Sequence, residues 1–108
     1  MKTISTKEFL EVLPNLTAED VVVDVRETEE YEDGHIPNSL NMPLSTIGKH
    51  VPMLQKFKNI YLVCESGGRS NATREVLKTT GIETIDVCDG LAKLKEAGLS
   101  LATVVRPS

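Results

Sequence analysis

At 108 residues, with sixteen acidic against twelve basic side chains and a net charge of −4, the chain has no room for a second domain. It is also too acidic for a binder of nucleic acid or of an anionic membrane surface. One hydrophobic core can form at this length without disulfide or metal staples, so a single domain over residues 1–108 is expected.

MKTISTKEFLEVLP interrupts its short apolar pieces with charges and matches neither a secretory leader nor a membrane span, so a soluble cytoplasmic protein is expected. Ser5 followed by Glu8 has the spacing of a capping box, and Phe9, Leu10 and Leu13 supply an apolar stripe until Pro14, which predicts a first helix. Val21, Val22, Val23 and Val25 form a β-branched run that predicts a buried strand ending near Asp24 to Arg26. Thr28 to Glu32 reads as a short acidic helix, Gly34 to Pro37 as a turn, and Leu40 to Met42 as a brief strand stopped by Pro43. Leu44, Ile47, Val51, Leu54 and Phe57 recur at three and four residues and predict one helix face, made irregular by Gly48 and Pro52.

Ile60 to Val63 is the next expected strand, and Ala72, Val76 and Leu77 predict a helix from about Ser70 to Thr80 ended by Gly81. Ile82, Ile85 and Val87 mark another strand, Leu91, Leu94 and Ala97 a last helix ended by Gly98, and the tail to Ser108 is expected to be irregular. Alternating strands and helices call for a parallel sheet covered on both faces, with reactive groups at the carboxyl ends of the strands.

The heptapeptide CESGGRS, Cys64 to Ser70, therefore falls where a strand hands over to a helix. Amides of a short glycine-containing loop and of a helix start carry partial positive charge and stabilise an anion such as a thiolate. Thiols in such places, or beside arginine, titrate at roughly 3.5 to 7.5 instead of about 8.5. Arg69 opposes the helix dipole on the first turn, and an anionic cargo in the loop would explain it. Cys64 and Cys88 are expected as free thiols, and neither they nor His35 and His50 show zinc-ligand spacing, so no metal and no cofactor are expected.

Three motifs, taken together, resemble the rhodanese-like (thiosulfate sulfurtransferase) family in its single-domain form. They are DVRETEEYEDGHIPNSLNMP (Asp24 to Pro43), the loop of Cys64, Gly67, Arg69 and Ser70, and the closing DGLAKLKEAGLSL (Asp89 to Leu101). The third departs most, with Asp89 and Gly90 where the family commonly has Gly-Gly and Leu94 where it has Trp. The resemblance implies a three-layer α/β fold, a central, mainly parallel five-stranded sheet flanked by helices. It implies that Cys64 takes up sulfane sulfur as a persulfide, within amides of Glu65, Ser66, Gly67, Gly68, Arg69 and Ser70. Arg69 would support the loop, and Asp24 and Arg26 would form a charged pair beside it, with Arg26 the better candidate to face substrate. The implied partners are small sulfur donors and acceptors such as thiosulfate, cyanide or thiols, or a protein persulfide.

Glu65 places a carboxylate directly after the nucleophile, where it would repel thiosulfate unless it turns to solvent or meets a cation. His35 reads as a turn-locking hydrogen bonder and His50 as a solvated or rim residue. Cys88, at the end of a strand expected beside that of Cys64, is either a partly buried small hydrophobe or a resolving thiol. Glu27, Glu29, Glu30, Glu32 and Asp33 read most simply as a solvated helix face, with an acidic docking surface as the alternative. Two other function classes compete. One is a phosphatase or arsenate reductase, disfavoured because only four residues separate Cys64 from Arg69; the other is a non-catalytic or redox- or sulfide-sensing module.

Overall fold

The computed structural model describes residues 2–104. Its strands are β1 (Lys2–Ile4), β2 (Asp20–Asp24), β3 (Leu40–Asn41), β4 (Asn59–Val63) and β5 (Ile85–Val87), and its helices are α1 (Thr6–Val12), α2 (Thr28–Asp33), α3 (Val51–Leu54), α4 (Gly68–Lys78) and α5 (Gly90–Glu96). The five strands form one sheet in the order β1-β5-β4-β2-β3, and every strand pairing is parallel.

The two longest strands, β2 and β4, lie at the centre and are covered on both faces, which is why their sequences are continuous apolar runs. Val21, Val23, Ile60 and Leu62 pack on one side with Met42, Ile47, Leu54 and Leu77, beneath α3 and α4. Val22, Tyr61 and Val63 pack on the other with Phe9 of α1 and Leu91 and Leu94 of α5. Ser5 caps α1 through its side chain, which accepts from the Glu8 amide at 3.1 Å, and so aims the fully buried Phe9 at Tyr61, with ring centroids 5.6 Å apart.

Two expectations are corrected, and one strand was not foreseen. Residues 44–57 are not one helix: Leu44–His50 is a 3-10 helix and only Val51–Leu54 is α-helical. A three-residue spacing such as Leu44 to Ile47 suits the three-residue repeat of a 3-10 turn, and Pro52, which lacks an N–H, is tolerated only in the first turn of an α-helix. Strand β1 carried no apolar signal, because it is a largely exposed edge whose only demand is pairing with β5. Ile82 lies outside β5; its amide donates to the Leu77 carbonyl at 3.1 Å after the left-handed Gly81 (φ +82°), closing α4. Of the expected irregular tail, Ala102 forms an antiparallel bridge with His35, and residues 105–108 lie outside the described residues. Among the described residues no helix is long and apolar enough to cross a membrane.

Register positions the site. Asp24 of β2 pairs with Val63 of β4, so the segment from Asp24 to Arg26 and the loop that starts at Cys64 leave the sheet side by side. The start of α5 approaches the same loop from the other flank.

Candidate active site

The loop Cys64 to Ser70 joins β4 to α4. Strand alternation turns Cys64 to the α4 side with Leu62, where it is 1% exposed. Gly67 caps α4 in a left-handed conformation (φ +101°), a reversal glycine makes without a Cβ penalty, and its amide donates to Cys64 Sγ at 2.9 Å. The carbonyls on the outer side are held by α5: the amides of Leu91 and Ala92 donate to Cys64 O at 2.8 Å and Glu65 O at 3.2 Å. Because trans peptide units point N–H and C=O in opposite directions, this turns the amides of Glu65 and Ser66 away from α5. The close approach requires Gly90, which is left-handed (φ +63°) and whose Cβ, if present, would collide with the carbonyl oxygens of Cys64 and Glu65.

The charges follow a reciprocal plan. Arg26, 4% exposed, makes two-pronged contact with Asp24 (Nε to Oδ1 3.0 Å, Nη2 to Oδ2 2.9 Å) and donates to Gly34 O at 2.6 Å. Its remaining nitrogen, Nη1, reaches Glu65 Oε2 at 3.4 Å. Arg69 is clamped in turn by Glu30 of α2, through Nη1 to Oε1 and through Nη2 to Oε2 at 2.9 Å. The Arg69 hydrogen bond holds the Glu30 carboxyl at about 2. Glu30 likewise raises Arg69, and the nearby Cys64 and Asp24 add smaller coulombic contributions. One arginine of the Asp24–Asp33 segment thus binds a loop carboxylate, and one carboxylate of that segment binds the loop arginine.

These contacts bear on the expectations for four residues. Arg69 does not need a cargo to explain its charge, since Glu30 supplies the counter-ion, and Glu30 is accordingly not part of a merely solvated acidic face. Glu65 meets cations, Arg26 and also Lys95 Nζ at 4.0 Å, which lessens its repulsion of an anion. Arg26 is enclosed by Asp24 and the Gly34 carbonyl and meets the loop through Glu65. Glu30, Gly90 and Lys95 were missed as site residues. The sequence offered no signal that set Glu30 apart from the other acidic residues of α2.

Ser66 is exposed, Gly68 opens α4 with open space above it, and the buried Ser70 hydroxyl makes no hydrogen bond among the described residues. Asp24, 2% exposed, also accepts from the Arg26 amide at 3.0 Å. His35 sits in the turn after α2, its Nδ1 2.8 Å from Tyr31 O and its ring stacked on Tyr31. His50 is half-buried at the end of the 3-10 helix. Cys88 follows β5, which lies directly beside β4, and both cysteines are free thiols. Among the described residues no group of three His, Cys, Asp or Glu side chains is placed to hold a metal ion.

A family model, the rhodanese-like domain, matches residues 6–96. A putative sulfur carrier protein of Bacillus subtilis (strain 168), YrkF, is 38% identical over 71 residues, 65% of this chain, and the chain spans only 38% of that relative's length. A putative sulfurtransferase of the same organism, YtwF, is 32% identical over 91 residues, covering 84% of this chain and 87% of the relative. The crystal structure of a rhodanese-like domain protein from Staphylococcus aureus superposes with a TM-score of 0.85 at 32% identity, over 97% of this chain and 100% of that one. The match in sequence, size and five-stranded α/β architecture is conclusive: the chain belongs to the rhodanese-like domain family, with sulfurtransferase and sulfur-carrier relatives.

Proposed function

We propose that this domain moves sulfane sulfur through a persulfide on Cys64. The Cys64 thiolate attacks the outer sulfur of a donor, the donor leaves as its thiolate or as sulfite, and an acceptor thiolate or cyanide then takes the outer sulfur and restores Cys64. The observation that carries this is the Gly67 amide on Cys64 Sγ in a loop whose carbonyls are tied back to α5, a setting that stabilises negative charge on sulfur. A phosphate needs a wider ring of amides than the four residues between Cys64 and Arg69 allow. Transfer to a thiolate also needs little proton relay, so no histidine has to serve it.

The donor we favour is a persulfide of a small thiol or of a protein. Both arginines beside the loop already hold carboxylates, so a doubly charged donor gains little from them, whereas a persulfide brings less charge to be compensated. The name of the sulfur-carrier relative supports a role in handing sulfur between proteins. Intact-mass measurement on samples quenched at early times after addition of thiosulfate or a low-molecular-weight persulfide should show a gain of one sulfur that Cys64→Ser abolishes. Parental behaviour of Cys64→Ser would sink the proposal.

A further inference from the structure

Cys88 is the one cysteine that the transfer cycle does not use, and its placement is specific. The last paired rungs between β4 and β5 are Tyr61 with Ile85 and Leu62 with Asp86, in parallel register. Continued two residues past its last rung, that register would bring Cys64 level with Cys88. Strand alternation assigns both side chains to the same face of the sheet. On β4, Ile60, Leu62 and Cys64 share the α4-side core, while Tyr61 and Val63 share the opposite one. On β5, Ile85 and Val87 pack on the opposite side, whereas Asp86 binds Arg74 of α4 at 2.9 Å. Cys88, two residues after Asp86, continues that α4-facing row, and its amide still donates to Ile4 O of β1 at 2.9 Å, so the extended course persists to this residue. Neighbouring strands run about 4.8 Å apart, within the Cα separation of about 4.4–6.8 Å that a disulfide spans.

We infer that Cys88 is a second nucleophile that discharges the Cys64 persulfide as sulfide. This rests on the persulfide proposed above. The Cys88 thiolate attacks the inner sulfur, Cys64 Sγ; the Sγ–S bond breaks, its electron pair leaves with the outer sulfur as hydrosulfide, and a Cys64–Cys88 disulfide forms. Sulfane sulfur is reduced to sulfide while two thiols are oxidised to one disulfide, so no external oxidant enters. An external thiol then reduces the disulfide and restores both cysteines. The domain thereby has two outlets: an acceptor that reaches the loop first takes the sulfur, and without one the sulfur leaves as sulfide and the site closes itself. Cys88 is partly buried and follows the strand next to that of Cys64, so the attack calls for no partner protein.

The test uses the whole chain, fully reduced, freed of reductant and kept free of oxygen, and treated with one equivalent of glutathione persulfide. Parent, Cys64→Ser, Cys88→Ser and Cys88→Ala are followed by intact mass and by released sulfide. The parent should lose two hydrogens without retaining sulfur, release sulfide above the Cys64→Ser background, and yield a peptide linked through Cys64 and Cys88. Both Cys88 variants should instead keep a gain of one sulfur and release none. A parent that holds its extra sulfur as long as the Cys88 variants do overturns the role of Cys88 and leaves the persulfide itself intact. If neither Cys88 variant ever gains a sulfur, the persulfide proposal fails and takes this one with it.

Discussion

Replacing Gly90 by alanine tests whether α5 shapes the loop around Cys64. Two costs add. A residue with a Cβ at φ +63° loses about 1–2 kcal/mol relative to its relaxed conformations. The Cβ would also lie 2.7 Å from the Glu65 carbonyl oxygen and closer still to that of Cys64. Neither neighbour is a flexible side chain, so the backbone must shift, an overpacking cost of about 1–3 kcal/mol. Gly81→Ala separates the two effects, because Gly81 has a similar positive φ (+82°) and nothing within 4 Å of its would-be Cβ. Thermal and urea unfolding should therefore place Gly90→Ala below Gly81→Ala by about 1–3 kcal/mol, with each kcal/mol moving Tm by about 4–8 °C in a domain of this size. Any relief separates the Leu91 amide from Cys64 O, so Gly90→Ala should also load sulfur more slowly, while Gly81→Ala loads at the parental rate. Equal stability and equal loading of the two variants would refute the claim that α5 holds the loop.

The Glu30–Arg69 clamp makes stability depend on acid. Because the folded carboxyl is held at about 2, against 4.5 for an unperturbed glutamate, its contribution is complete above pH 4.5 and is lost as the pH falls towards 2. Both side chains are more than a third exposed, so Glu30→Gln should cost only about 1 kcal/mol at neutral pH, in a urea-unfolding gap that narrows from pH 4.5 downward. A gap independent of pH would show that the carboxylate is not what matters. At the entrance, Glu65→Gln removes a charge while keeping a hydrogen-bonding group for Arg26, and should raise kcat/KM for thiosulfate about two- to fivefold. The value for a small-thiol persulfide should move less, and an unchanged thiosulfate value would remove Glu65 as a selector of donors.

What could be read from the sequence was what is local. Ser5 and Glu8 cap α1 through contacts three residues apart, the valines of β2 and the apolar run of β4 need only burial on two faces, and Gly81 and Gly98 mark ends where the backbone turns left-handed. Asp24 and Arg26, two residues apart at a strand end, were legible as a pair for the same reason. The role of Glu30 was not, because it exists only once α2 docks against a loop 39 residues further on, and within α2 it is one acidic residue among several. Strand β1 escaped because an edge is chosen by its neighbour's unpaired backbone and not by its own side chains. From Leu44 to Leu54 the apolar spacing was correct, but it fits a 3-10 turn as well as an α-helix, and the choice fell to Gly48 and Pro52.

The hydrogen bonds from Leu91 and Ala92 to the carbonyls of Cys64 and Glu65 also set an order of events during synthesis. A growing chain that has passed Lys78 already has its cysteine and the start of α4, yet the amides that brace the loop from outside are still to be made. The bracing of the loop therefore arrives late, after the loop itself has been made. On the function proposed above, an emerging polypeptide would carry an ordinary thiol through the ribosome's surroundings and gain a sulfur-handling one only once α5 is in place.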